Sequence, residues 1–190
     1  LIGKSLLTDF EMLNLARKYL KKTKLSVHII PGIATIKDID MAISLKVDIF
    51  RIACHCTEAT VTKSYIEYLN KKGLCVYGVL MMSALCSKET LYEEASKMKS
   101  YGASSIIIMD STGSYDEQMV IERISFLKTL NIPLGFHAHN NYQLAVSNSL
   151  KAIEAGASII DVTLKGFGAG AGNTPLEIMV LKDKNTKIDK

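Results

Sequence analysis

Short apolar runs alternate with amphipathic helical patterns along this chain, and the alternation constrains the fold more than any other feature. The runs are rich in β-branched residues and apolar on both faces, which is typical of parallel strands covered by helices. A helix is also predicted ahead of the first strand, over residues 8–21. The predicted strands cover residues 27–30, 49–53, 75–82, 105–109, 132–137 and 159–164.

Glycine or asparagine stands where each of four predicted helices must stop and turn back into the sheet. These residues are Gly73, Gly102, Asn131 and Gly156. Both residue types tolerate the left-handed backbone that a helix C-terminus commonly needs. Repeated strand–helix units predict an α/β fold with a parallel sheet.

Periodicity alone leaves two architectures open, a doubly wound sheet and a closed barrel. A complete (β/α)8 barrel needs about 250 residues, whereas this chain has 190. As a barrel it is therefore incomplete, with six strands and the first βα units missing. No linker or low-complexity segment divides the chain, so we expect residues 1–190 to form a single domain.

Composition excludes several classes of protein. A net charge of +4 and 48% hydrophobic residues are ordinary for a globular domain. The basic stretch 17–24 lacks interleaved aromatic residues, so it predicts a solvated helix face and no nucleic-acid binding. No apolar run reaches the roughly 20 residues that span a bilayer. The four cysteines lack zinc-site spacing, and we expect free thiols in a reducing cytoplasm.

The densest polar residues follow the C-terminal ends of the predicted strands, where α/β folds place their sites. His137 and His139 are two residues apart at one such end, so both rings should project to one side. Imidazole pairs of this kind are neighbouring ligands for Zn, Mn, Fe or Co. The alternative is that His137 is a packed core residue and His139 lies beside a helix cap.

A glycine-rich loop follows the last strand, over residues 166–173. Thr174 and Glu177 predict a capping box at the start of the next helix, with Pro175 in the first turn. Gly166, Gly168 and Ala171 match a dinucleotide-binding fingerprint loosely, but no later strand completes the βαβ unit. The fingerprint is therefore the weaker interpretation.

Two further strand ends carry possible chemistry. Asp110 and Ser111 are either an ordinary capped turn or a carboxylate that orients its neighbours beside a hydroxyl that binds substrate. Lys165 is the one lysine at a strand end and so the one candidate for an imine-forming nucleophile. An exposed loop lysine is the alternative.

Several long motifs together resemble a known superfamily. The segment GFHAHNNYQLAVSNSLKAIEAGASIIDVTLKGFGAGAGNTPLE resembles the closing barrel segment of the metal-dependent lyases and synthases that include 3-hydroxy-3-methylglutaryl-CoA lyase and isopropylmalate synthase. Four earlier motifs resemble one family of this superfamily, the 4-hydroxy-2-oxovalerate aldolases. These motifs are IIPGIATIKDI, FRIACHCTEATVTKSYIEYLNKKG, GVLMMS and MDSTG. The resemblance covers nearly the whole chain.

The resemblance implies a TIM barrel, here truncated at both ends, and a divalent metal, most often Mn2+, with Mg2+, Co2+ or Zn2+ as alternatives. It implies retro-aldol cleavage of a 4-hydroxy-2-oxoacid to pyruvate and an aldehyde. His137 and His139 fall on the metal ligands, and Ser111 and His137 are expected to contact substrate. Asp110 and Asn173 are weaker site candidates.

The resemblance further implies an oligomer, cytoplasmic location, a role in aromatic hydrocarbon catabolism, and an acylating aldehyde dehydrogenase as partner. Three alternatives to the aldolase remain: a Claisen-type acyl-CoA/2-oxoacid synthase, a 3-hydroxy-3-methylglutaryl-CoA-type lyase, and a non-catalytic barrel remnant. Asn140 follows the second histidine as in the synthases, whereas the GAGAGN loop favours the aldolases.

We predict that residues 1–190 alone are inactive. The family's first-strand Asp ligand, its neighbouring Arg and the following His are not found in this sequence. Each missing acid–base or charge-stabilising role is typically worth a factor of about 100 or more. The test is to express residues 1–190 and assay pyruvate release with added Mn2+. Turnover near that of a full-length relative would contradict the prediction.

Overall fold

The computed structural model describes residues 5–182, which form one parallel sheet of six strands covered by helices. The strands are β1 (Ser26–Ile29), β2 (Ile49–His55), β3 (Cys75–Met81), β4 (Ser105–Asp110), β5 (Leu134–Ala138) and β6 (Ile159–Asp161). The helices are α1 (Asp9–Tyr19), α2 (Ile36–Ser44), α3 (Lys63–Lys71), α4 (Lys88–Tyr101), α5 (Glu117–Leu127), α6 (Ala145–Ala155) and α7 (Leu176–Lys182).

The strands lie in the sheet in chain order, β1 to β6, and each pairs in parallel with the next. The sheet curls, so that Arg51 on β2 reaches Asp161 on β6 across the concave face. The result is a curled half-barrel of the (β/α)8 type. The α/β fold and the six predicted strands are confirmed, as is the barrel rather than the doubly wound sheet.

Helix ends also follow the sequence prediction. Gly73, Gly102, Asn131 and Gly156 all have positive φ, at 70°, 110°, 51° and 117°. Gly102 and Gly156 each donate their N–H back into the helix that they end. This left-handed backbone turns each chain segment toward the next strand.

Every strand differs from the prediction by one to three residues at one end or both, and two of these differences have a clear physical cause. The last strand ends at Asp161 rather than at residue 164, because the Thr163 N–H donates to the Thr174 carbonyl and a short 3-10 turn follows. β5 begins at Leu134 rather than at 132. Pro133 precedes it and has no N–H to donate to a neighbouring strand.

Separate apolar layers cover the two faces of the sheet. The convex face packs against the helices through fully buried side chains such as Ile39 of α2, Phe50 of β2 and Ile66 of α3. The concave face carries a smaller cluster centred on Ala53, Val79 and Ile107, which are also fully buried. This inner cluster lies below the C-terminal ends of the strands. Within residues 5–182, no helix is long and apolar enough to cross a membrane.

We predict that Ile39→Ala destabilises the fold by about 2–5 kcal/mol, because it removes a buried side chain and leaves a cavity. Ile39 is 0% exposed, whereas Ile33 in the preceding loop is 77% exposed. Ile33→Ala is therefore the matched control, with an expected change within about 0.5 kcal/mol. Urea unfolding measures both free energies. Equal effects of the two substitutions would show that α2 does not pack as described.

Candidate functional site

The structure brings His137 and His139 together at the C-terminal edge of the sheet. His137 lies in β5 and His139 directly follows it. The ring centroids are 5.2 Å apart and the ring planes are tilted by 53°. Both side chains are half-buried. As the i, i+2 spacing predicts, both imidazole rings project to the same side of the strand.

Asp161 joins this pair, although no sequence motif indicated it. The His137 Nδ1 lies 2.9 Å from Asp161 Oδ2, and Arg51 donates two hydrogen bonds to the same carboxylate, one of them to Oδ1 at 3.0 Å. The signal available in the sequence was a lone carboxylate in an apolar strand. Its importance follows from the register, which pairs His137 with Asp161.

Charge around the site keeps Asp161 ionised. Burial acts to raise the pKa of Asp161, but the hydrogen bonds from His137 and Arg51 outweigh it and hold the pKa below its usual range. An ionised carboxylate accepts hydrogen bonds only. The contact with His137 Nδ1 therefore requires a proton on that nitrogen.

His139 is held in the neutral form. Burial lowers the pKa of His139, and repulsion from His137 lowers it further, while a hydrogen bond to the Ala169 backbone opposes both. A pKa below 6.5 leaves the ring uncharged at neutral pH. Neutral imidazole is the form that binds a metal.

Asn173 lies beside His139 and has an unsatisfied acceptor. The two residues form an isolated antiparallel bridge. Asn173 is 9% exposed; its side-chain amide donates to the Phe167 carbonyl at 3.2 Å. Its Oδ1 is buried without a hydrogen-bond partner among the described residues. A buried acceptor without a partner costs free energy, so a ligand for it is expected.

The glycine-rich loop folds closely over Asn173. A Cβ on Gly168 would lie 2.4 Å from Asn173 Nδ2, and one on Gly172 would lie 2.3 Å from the Gly166 carbonyl oxygen. Side chains at these two positions would therefore collide with the loop itself. This packing accounts for Gly168 and Gly172, whereas Gly170 has open space around it and a φ of 61°.

The donor set fits a divalent metal. Two imidazoles lie at the strand ends, beside an amide oxygen that has no hydrogen-bond partner among residues 5–182. Such ligands suit first-row divalent ions. Among residues 5–182, no group of three or more His, Cys, Asp or Glu side chains is arranged to hold a metal. The described residues therefore offer a partial set of ligands.

Ser111 lies half-buried in the loop after β4. Its Oγ accepts a hydrogen bond of 2.9 Å from the backbone N–H of Met82, which has left-handed backbone angles. With that lone pair occupied, the hydroxyl proton remains to be donated to a ligand. The predicted substrate contact is chemically available.

The Asp110 carboxylate is fully buried and holds this loop in place. It accepts from the N–H groups of Ser114 and Tyr115 at 3.1 and 3.0 Å, and from the Thr112 hydroxyl at 3.2 Å. These contacts match the interpretation of a carboxylate that orients its neighbours. A role for Asp110 as a metal ligand stays a prediction.

The predicted capping box at Thr174 does not form. The α7 helix begins at Leu176, and both carboxylate oxygens of Glu177 accept from the Lys165 N–H at 3.0 Å. Thr174 is buried, and its hydroxyl donates instead to the Ala145 carbonyl. Sequence spacing could not show this because the competing donor lies in the preceding loop. Lys165 itself has an exposed side chain.

This geometry defines an α/β-barrel protein with a histidine pair at the C-terminal ends of its strands. The HMGL-like family model matches residues 2–190, and the chain belongs to that family. It is 50% identical over 182 residues to the 4-hydroxy-2-oxovalerate aldolase of Pectobacterium atrosepticum, covering 95% of this chain and 53% of that protein. The protein of the same name from Spirochaeta aurantia is 49% identical, with 94% and 53% covered.

A solved structure shows the same fold at lower identity. The carboxyl transferase domain of Rhizobium etli pyruvate carboxylase, solved with pyruvate, superimposes with a TM-score of 0.84 at 16% identity. The match covers 93% of this chain and 33% of that one. The chain spans about half the length of the curated relatives it matches.

We predict that Asp110→Ala destabilises the protein by about 1–3 kcal/mol for each buried donor that it leaves without an acceptor. The control is Asp116→Ala, which removes an exposed cap of α5 that accepts from the Met119 N–H at 2.8 Å. Loss of a cap costs about 1 kcal/mol. Free energies of unfolding from urea titration compare the two, and a smaller loss for Asp110→Ala would contradict its role in the loop.

Proposed function

We propose that the protein to which this chain belongs cleaves a 4-hydroxy-2-oxoacid, such as 4-hydroxy-2-oxovalerate, to pyruvate and an aldehyde in a metal-dependent retro-aldol reaction. The observation that carries the proposal is the pair of His137 and His139 rings, 5.2 Å apart at the strand ends. It occurs in a chain 50% identical to a protein named 4-hydroxy-2-oxovalerate aldolase.

We assign the metal to His137 and His139, with Asn173 as a further candidate and Mn2+ as the expected ion. A divalent cation supplies a Lewis acid that stabilises the enolate left when the C3–C4 bond breaks. The neutral state of His139 keeps a lone pair on its ring. In this proposal His137 holds its proton on Nδ1, beside Asp161, and binds the metal through Nε2. The unpartnered Oδ1 of Asn173 supports its place beside them.

Ser111 orients the substrate in this proposal. Its Oγ accepts from the Met82 N–H, so its own proton is directed to another acceptor. The carboxylate of a 2-oxoacid is such an acceptor, and a hydrogen bond to a charged group is worth about 1.5–3 kcal/mol. Asp110 supports this role indirectly, because it fixes the loop that carries Ser111.

An imine mechanism has little support. A lysine nucleophile needs a lowered pKa, which usually comes from a desolvated pocket or a neighbouring cation. The Lys165 side chain is exposed, and its backbone N–H is bound to Glu177. We therefore propose a reaction without a covalent lysine intermediate.

Asn140 is the residue that resembles the synthases, and the structure gives it a role in packing. The Asn140 Oδ1 accepts from the Ala145 N–H at 3.2 Å, at the start of α6. The Asn140 N–H donates to the Gly172 carbonyl at 2.8 Å. These contacts connect β5, α6 and the glycine-rich loop. The presence of Asn140 is therefore explained without acyl-CoA chemistry.

Partners and location follow from the same proposal. The aldehyde product is reactive, and an acylating aldehyde dehydrogenase that consumes it is the expected partner. We also propose an oligomer in the cytoplasm. Cys54 and Cys56 are buried free thiols, and Cys75 and Cys86 are half-buried free thiols, which is in keeping with a reducing compartment.

We predict that chelation abolishes pyruvate release by the full-length protein and that added Mn2+ restores it. His139→Gln should weaken Mn2+ binding by at least about 10–100-fold, since even loss of a residue that supports a ligand costs that much. A pyruvate-coupled assay and Mn2+ titration measure these effects. Full activity after exhaustive chelation would refute the metal role.

Lys165→Ala is the matched control and should retain turnover within a few-fold. Borohydride added with substrate should leave Lys165 unmodified by mass spectrometry. A reduced adduct on Lys165 would assign the reaction to imine chemistry. Consumption of an acyl-CoA without aldehyde release would favour the synthase.

A further inference from the structure

Three side chains form a continuous hydrogen-bonded path across the concave face of the sheet. Arg51 on β2 donates from Nη1 to Asp161 Oδ1 at 3.0 Å and from Nη2 to Oδ2. Asp161 Oδ2 also lies 2.9 Å from His137 Nδ1. β2 and β6 are not neighbours in the sheet, so the path joins strands through the interior.

We propose that Asp161 and Arg51 are positioning residues that fix the tautomer and ring orientation of His137. Asp161 holds the proton of His137 on Nδ1, so that Nε2 keeps its lone pair for the metal. Arg51 holds the plane of the Asp161 carboxylate by its two hydrogen bonds. The inference rests on the proposed metal site and assigns residues that support it.

The chemistry of the carboxylate determines the tautomer. Bound to a guanidinium through both oxygens, Asp161 acts as an acceptor only. The nitrogen facing it must therefore be the donor, and a neutral ring has one proton to place. A histidine that binds metal through one nitrogen commonly donates the other N–H to a carboxylate, which fixes its orientation.

Stability alone gives little reason for such a pair. The side chains of Arg51 and Asp161 are 19% and 15% exposed, so both charges are largely removed from water. Arg51 Nε is buried without a hydrogen-bond partner among residues 5–182. An apolar pair of similar volume would often be as stable or more so. A role in orienting His137 accounts for keeping the charged pair.

The double variant Arg51→Met/Asp161→Leu gives a sharp test, because it replaces the charged pair with apolar side chains of similar volume, a change that buried ion pairs often tolerate. Asn would be a poorer choice, since Oδ2 accepts from both Arg51 and His137 and an amide oxygen could still do so. In the double variant His137 Nδ1 loses its acceptor. The proton of His137 should then move to Nε2, the nitrogen needed for the metal.

The measurement is 15N NMR of the histidine rings in the metal-free, full-length protein, with the resonance assigned by its absence in His137→Gln. We expect the Nδ1–H tautomer in the wild type and a predominant Nε2–H tautomer in the double variant. Mn2+ affinity, from titration followed by EPR, should fall by about 10–100-fold in the double variant. Asp161→Ala and Arg51→Met should show smaller populations of the Nδ1–H form than the wild type.

Asp48→Ala is the matched control, because Asp48 also pairs with an arginine, Arg17, at 2.8 Å, but on the outer surface. It should leave the His137 tautomer and Mn2+ affinity unchanged. An unaltered Nδ1–H tautomer in the folded double variant would overturn the proposal. The NMR result needs neither metal nor substrate. A protein that shows the tautomer shift but no Mn2+ binding or aldolase activity would refute the proposed function alone.

Discussion

The parallel pairing of the six strands is the constraint on which the rest of the structure depends. Because all strands run in one direction, their C-terminal ends meet at one edge, and inward-facing residues of adjacent strands fall into common layers. The register that pairs Met109 with His137 and His137 with Asp161 places one such layer at the site. A shift of one residue in β6 would turn Asp161 away from His137. The site is thus a consequence of register as much as of residue identity.

Much of the fold could be predicted from the sequence because its signals are local. Apolar runs locate the strands, and Gly102 and Gly156 mark helix ends through a backbone conformation that few residues adopt easily. The histidine pair could be found for the same reason, since i, i+2 geometry needs only one strand. The predicted metal and substrate roles of these residues stay predictions that the geometry supports.

What could not be predicted depends on contacts between distant segments. Asp161 lies 24 residues from His137 and 110 from Arg51 in the chain, and these contacts exist only once the sheet has curled. Glu177 likewise turns from Thr174 to the Lys165 N–H because the preceding loop folds back against it. Local propensity and capping rules describe what a segment can do alone. They do not describe which competing donor the tertiary fold will supply.

The inner apolar cluster of Ala53, Val79 and Ile107 has a consequence for how such a protein can change over time. These side chains are fully buried, and Gly135 beside them has no room for a larger residue, since a Cβ there would lie 2.7 Å from Ile107 Cγ1. They lie in the layer of the concave face directly beneath the layer that holds His137. This layer tolerates little variation, so mutations that alter which molecules are accepted should accumulate in the loops above the strands. Among related proteins, the reaction that the site performs can then stay the same while the molecules that it accepts change.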